Sequence, residues 1–363
     1  MRHRTAATVA ALVVLAALVP AGVGAAAATT QEDCAFPLTT TDATGTEITV
    51  EERPERITTL TPSAAQTMWA LDAEAQVVGM TRYASYLDGA EDRTNVSAGF
   101  STSVEAVIGT EPDLVLAPNV TRAETVTALR DAGVTVFKFE LASSISDVRN
   151  KTTLIGRLTG NCAAAERTNA WMDANVEAAR EATADVERPR VLYPLGGGYV
   201  ANTNTFVSGM IEAGGGVNAM AGTNFSLAYP QVNDEVVLRE DPEVLLTSSR
   251  SGYPVGEEPY ASTTAGRNNR TVYVDNNYLT QPAPRSIVYG VRNITRGLHP
   301  DAAADAAFVA KDDVTLATAT PTETASATAD PTATPTDSPG QTGFGVAVAV
   351  VALAGAALLA RRE

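Results

Sequence analysis

Histidine is almost absent. The 363-residue chain holds two, His3 near the start and His299 in "GLHP". Zinc and manganese sites need several imidazole or thiolate ligands, so they are not expected here. A Ser-His-Asp triad would have to use His299. No Gly-x-Ser-x-Gly elbow, phosphate loop or Gly-x-Gly-x-x-Gly occurs, which removes the signatures of many hydrolases and nucleotide binders. Catalysis is therefore not expected. Lysine is scarce too: Lys138, Lys151 and Lys311, against 23 arginines among the 26 basic residues. With 42 acidic residues the net charge is −16, which argues against a nucleic-acid partner because phosphate binding needs basic stripes. An acidic, lysine-poor composition suits a protein that lives in molar salt, although a GC-rich genome favours the same residues.

The two ends read as targeting segments. Residues 1–28 have a basic start, an apolar run and small residues, the pattern of a secretory signal peptide. Residues 312–340 are rich in Thr, Ala and Pro and lack the apolar residues to bury a core, so they are expected to form an extended stalk. Residues 343–360 are a hydrophobic segment followed by "RRE", just long enough to span a hydrocarbon core with the arginines inside. The layout resembles haloarchaeal sorting tails, in which a Pro-Gly-Phe signal is cut and replaced by lipid. Here "SPGQTGFG" sets Gly340 apart from Phe344, so cleavage and retention as a transmembrane anchor both stand. Export also fits six Asn-x-Ser/Thr sequons, at Asn95, Asn119, Asn150, Asn224, Asn269 and Asn293. In that oxidising location the only cysteines, Cys34 and Cys162, are expected to pair.

Between the ends, short apolar runs alternate with helical stretches. "TTTDATGTEITV" reads as an edge hairpin. "RITTL", "VVGM", "DLVLAPN" and "VTVFKFE" read as strands, with helices in "SAAQTMWALD" (Ser63 at its N-cap) and "RAETVTALRDAG". This order predicts an α/β lobe with a parallel sheet over residues 36–144. Residues 145–187 are helical, interrupted near "TGNC". Strand and helix patterns then restart over 188–301, with "RVLYPL", "EVLLTS" and "TVYVDN" as strands and "LGGGY" as a tight turn. Two α/β lobes joined by a long helix predict a cleft that hinges little.

Ligands of doubly wound lobes bind beyond the carboxyl ends of the strands. Tyr83, Phe100, Tyr229, Tyr278 and Gln281 fall there, and their aromatic rings suit a flat ligand.

The stretch "PERITTLTPSAAQTMWALDAEAQVVGMTRYASY", followed by "SVEAVIGTEPDLVLAPN", resembles the substrate-binding proteins of ABC importers for vitamin B12 and iron-siderophore complexes. "TFVSGMIEAGGGVN", "YPQVNDEVVLREDPEVLL" and "APRSIVYGVRNI" continue the resemblance in order, over roughly residues 42–301. It implies the class III periplasmic-binding-protein fold, with two doubly wound lobes on a single long helix. The partners implied are a permease, its ATPase and a small-molecule ligand, with no cofactor. Within the family the B12 branch is nearest: Tyr83, Tyr229 and Tyr278 fall at its cleft aromatics, while its tryptophan falls at Gly99, beside Phe100. A corrinoid is the expected ligand and a ferric siderophore the alternative. For an anionic chelate the candidate contacts are Arg82 and Arg285. The family docks on its permease through one acid per lobe, and Glu105 and Glu235 fall at those positions, with Asp234 adjacent. A surface adhesin on the same scaffold is the alternative of a different class.

Overall fold

The computed structural model describes residues 34–252 and 254–316. The signal segment 1–28, the stalk from 317 and the tail 343–360 lie outside the described residues.

The fold opens with β1 (Leu38–Thr41) and β2 (Glu47–Val50). They pair antiparallel as a sheet of their own rather than on the edge of the larger one. The Asp42 carboxylate closes their turn, accepting from the Thr44 backbone N–H at 2.8 Å and from Arg130 at 2.5 Å. The first lobe continues with β3 (Ile57–Thr59), α1 (Pro62–Ala70), β4 (Val77–Met80) and β5 (Thr94–Asn95). A small hairpin of β6 (Ser97–Ala98) and β7 (Ser101–Thr102) follows. Then come α2 (Val104–Ile108), β8 (Leu114–Ala117), α3 (Ala123–Asp131) and β9 (Val136–Lys138). Five strands pair in parallel in the order β5-β4-β3-β8-β9. All four residues of β8 are buried, as a continuous apolar run inside a helix-covered parallel sheet requires.

Helix α1 starts earlier than its sequence suggested. Thr61 is the N-cap and Pro62 opens the first turn, where its missing N–H costs nothing. Ser63 lies buried within the helix and its carbonyl accepts from Thr67 Oγ1 at 2.8 Å.

Two helices then connect the halves. α4 (Ile145–Thr159) begins with a capping box between Ser144 and Asp147 and ends at Gly160. Gly160 has φ +70°, and a Cβ there would meet the Arg53 side chain at 2.8 Å. α5 (Cys162–Ala182) starts in the first core, at Ala165, and runs into the second, at Trp171, Met172 and Ala179. This is the long connecting helix. α4 packs beside it, with Ile155 and Leu158 in the first core and Val148 in the second.

The second lobe holds β10 (Arg190–Leu192), β11 (Pro194–Gly196), β12 (Tyr199–Val200), α6 (Phe206–Ala213) and β13 (Val217–Asn218). It continues with α7 (Asp234–Glu240), β14 (Val244–Thr247), α8 (Thr264–Arg267), β15 (Thr271–Tyr273) and α9 (Asn276–Leu279). α10 (Pro284–Leu298) and α11 (Pro300–Asp305) close it. Four strands pair in parallel in the order β13-β10-β14-β15. The two sheets repeat one topology, since β4-β3-β8-β9 and β13-β10-β14-β15 both run second, first, third, fourth. Each has its switch point between first and third strands, where crevices form. By the same correspondence α2, before β8, is the counterpart of α7, before β14.

Buried polar groups tie the lobes together. Gln66 of α1 is fully buried. Its Nε2 donates to Tyr86 Oη at 2.7 Å and to the Asn277 carbonyl at 3.0 Å. Its Oε1 accepts from the Ser286 backbone N–H at 3.1 Å and from Ser286 Oγ at 3.0 Å. Arg285 donates to the Trp69 carbonyl at 3.2 Å, and Lys151 Nζ donates to the Pro282 carbonyl. Opening the lobes would break these bonds in a dry setting, where unmade hydrogen bonds are costly. Burial pushes Tyr86 up to about 12, so it stays a neutral partner of Gln66.

Cys34 and Cys162 form a disulfide, with Cα atoms 6.0 Å apart and a sequence separation of 128. It staples the strand-leading segment to the start of α5. We expect Cys34→Ser with Cys162→Ser to cost about 2–4 kcal/mol, since cross-links over long loops restrict the unfolded chain. Denaturant titration of the variant against the wild type measures it, and an unchanged midpoint would show that the cross-link adds nothing.

Candidate ligand-binding cleft

The first-lobe rim is built by the β6–β7 hairpin and the turn after β4. Gly99 and Phe100 are the two hairpin loop residues. Gly99 has φ +59°, as the first central position of a tight hairpin turn demands. Glycine at this position therefore has a backbone reason, and the aromatic is carried by its neighbour. Phe100 is 96 % exposed. Tyr83, 42 % exposed, donates through its hydroxyl to the Gly99 carbonyl at 3.3 Å. Arg82 is exposed, its Nη2 donates to Tyr83 Oη at 3.0 Å, and its guanidinium lies 5.0 Å from that ring's centroid.

The second-lobe wall is built at a switch point. Tyr193 directly follows β10 and Ser248 follows β14. Burial pushes Tyr193 up to about 12, the neighbouring Tyr229 adds to that, and a hydrogen bond with Ser248 opposes it. Tyr229 itself is 37 % exposed, and burial raises its pKa. Beside them lies a cavity of about 530 Å³ at the ends of β10, β14 and β15. The "LGGGY" turn forms part of it. Gly196, Gly197 and Gly198 all have positive φ, and a Cβ on Gly198 would stand 2.9 Å from the Val232 carbonyl.

Tyr278 and Arg285 stand at the lobe junction, and Gln281 lies in the loop between them. The Tyr278 ring lies 4.8 Å from Tyr289, which lies 5.9 Å from Trp171 in the core. Gln281 Nε2 donates to Thr280 Oγ1 at 3.0 Å, and Arg285 is held by the end of α1. The aromatic residues expected from sequence thus fall into three groups: Tyr83 with Phe100, Tyr229 with Tyr193, and Tyr278 with Tyr86 and Tyr289. Tyr193 was not singled out from sequence. Its signal was its place as the first residue after the strand at a switch point.

Glu105 and Glu235 occupy matching places. Ser103 caps α2 and Asn233 caps α7, each accepting from a backbone N–H three residues on. Both glutamates sit two residues after the cap, both are exposed, and they share the corresponding helices of the two lobes. Of the sequons, Asn95, Asn119, Asn150, Asn224 and Asn269 are exposed, while Asn293 is half-buried in α10. Among the described residues no group of three or more His, Cys, Asp or Glu is arranged to hold a metal ion.

Two parallel-sheet lobes of one topology, joined by a helix and lined at their strand ends by aromatic rings, define a solute-binding protein. The periplasmic binding protein family matches residues 57–278, and the chain belongs to it. A "Cobalamin-binding protein" of Halobacterium salinarum is 47 % identical over 341 residues, 91 % of this chain and 89 % of that one. An uncharacterised ABC transporter substrate-binding lipoprotein of Bacillus subtilis is 27 % identical, covering 73 % of this chain and 87 % of its own. Among solved structures, a periplasmic heme-binding protein from Roseiflexus sp. in apo form is similar, with a TM-score of 0.60 and 29 % identity. That match covers 69 % of this chain and 99 % of the other. The protein is the extracellular solute-binding component of an ABC importer.

The PGF-CTERM motif matches residues 343–363. The match bears out the sorting-tail resemblance; its Gly-Phe pair is Gly343 and Phe344 rather than Gly340 and Phe344, and Thr342 precedes it where the tripeptide has proline. The chain is exported and anchored at the outer face of the cell membrane.

Proposed function

We propose that this protein captures cobalamin or a related corrinoid in its inter-lobe cleft and hands it to its permease, docking through Glu105 and Glu235. The observation that carries the ligand reading is the rim pair. Phe100 is almost fully exposed beside Tyr83, and such a ring is expected to cover a flat ligand rather than to face water. The 47 % identical relative named for cobalamin supports it. For the ferric siderophore reading the cationic contacts would be Arg82, which is bonded to Tyr83, and Arg285, which is bonded to the Trp69 carbonyl.

Cyanocobalamin affinity should fall by about 1–3 kcal/mol in each of Tyr83→Ala, Phe100→Ala and Tyr229→Ala, as for buried aromatic anchors. Tyr278→Ala should weaken the fold as well, because its ring packs on Tyr289. Equilibrium dialysis in high salt tests this. Full affinity in the three rim variants would remove the cleft assignment, and failure of the wild type to bind corrinoid while binding a ferric siderophore would favour the alternative ligand.

A further inference from the structure

The second-lobe cavity has a chemistry that the aromatic rims lack. Among the described residues no lysine or arginine lines it. Arg250, in a bordering loop, is stacked on the Tyr273 ring, 4.5 Å from its centroid. The lining includes the oxygen-bearing side chains Tyr193 and Thr247, both buried, the half-buried Ser248, and Asn276, which is exposed. Asp234, Glu257 and Glu258 also line it and are exposed, which sets three carboxylates at its mouth. The triple-glycine turn brings bare main chain to the same wall.

An anionic group that enters such a cavity loses water and meets carboxylates with no cation to offset them. A neutral group bearing N–H donors does the opposite, since hydrogen bonds to carboxylates are the strong ones. A metal cation would be the other species favoured, but among the described residues no cluster is arranged to hold one. The volume is that of a pocket for part of a large ligand rather than for a whole chelate. We propose that this cavity is the specificity subsite of the cleft, taking the neutral, hydrogen-bond-donating carboxamide edge of a bulky metal chelate and rejecting carboxylate or catecholate edges. The proposal rests on the reading of the cleft as a chelate site and names the charge class that it admits.

The mature chain in molar KCl would be titrated with dicyanocobinamide, whose side arms are amides, and with dicyanocobyrinic acid, whose side arms are carboxylates. The acid should bind at least about a hundredfold more weakly, because like-charge contacts are costly and direct contacts survive high salt. Glu257→Gln with Glu258→Gln should bring the two affinities within about tenfold, chiefly by tightening the acid. Equal wild-type affinities, or an unchanged gap in the variant, would overturn the subsite. A second pair separates this from the ligand reading: a neutral ferric trihydroxamate against a trianionic ferric tricatecholate. If neither corrinoid binds but the neutral chelate is preferred, the corrinoid reading falls and the subsite stands. Preference for the trianion overturns the subsite whatever the corrinoids do, and binding of none of the four overturns both.

Discussion

Replacing Glu105 and Glu235 together with alanine should cut uptake in cells by more than tenfold while leaving the ligand affinity of the purified protein unchanged. Truncating one partner of a direct charge pair costs about 2–5 kcal/mol, and here two pairs are lost. The fold should survive. Each acid lies in the first turn of its helix, where the dipole interaction is worth only about 0.3–1 kcal/mol, and no bond to either carboxylate occurs among the described residues. The caps themselves, Ser103 and Asn233, remain. At 1 M ionic strength the Debye length is about 3 Å, so steering over a distance is lost and docking relies on direct contact. Ile108 and Leu238 strengthen the case. Each lies three residues beyond its glutamate, on the same helix face, and they are 39 % and 44 % exposed. A matched acid and aliphatic on equivalent helices of both lobes suits a two-fold partner surface, and the aliphatic contact is not screened by salt. Normal uptake by the double alanine variant would reduce both acids to partners of their helix dipoles.

Much of the lobe architecture was legible because it is written in local patterns. "LVLA" has no polar residue to turn toward water, so its strand had to lie between helices, and β8 is buried throughout. Gly160 marked the break between α4 and α5 through a backbone conformation that few other residues adopt. The site was legible only in part, because its geometry depends on pairs far apart in the chain. Nothing near Gln66 indicates that its amide meets Asn277 and Ser286 more than 200 residues away. Arg285, offered as a contact for an anionic chelate by the family resemblance, donates to the Trp69 carbonyl at the end of α1, 216 residues away in the chain. Tyr193 sits inside "RVLYPL", where an aromatic at the end of an apolar run reads as core. Only strand order, which local pattern does not carry, puts it at the switch point.

Lys151 was equally invisible as a buried charge, and it leads to the second large effect. It is one of three lysines in the chain and lies buried on α4. Its Nζ donates to the Pro282 carbonyl, at the loop that carries Gln281. Among the described residues no carboxylate is bonded to it: Asp147, one turn earlier, is taken by Ser143 and Ser144. Burial alone pulls the pKa of Lys151 down to about 7, against about 10.4 for an unfolded lysine. Between those values the unfolded chain binds a proton that the folded chain does not. Stability therefore rises with pH across the window from about 7 to about 10, and below about 7 the lysine adds no slope. Over the full window the gain amounts to about 4 kcal/mol, each pKa unit being worth about 1.4 kcal/mol. Lys151→Met keeps the length of the side chain and removes the charge, so its stability should lack this component and exceed the wild type at pH 7. Urea titrations of both proteins at pH 7 and pH 10, in the same high salt, measure the difference in slope. A wild-type slope no steeper than the variant's would mean that the ammonium reaches water in the folded chain, and that its bond to Pro282 holds the junction without a desolvation cost.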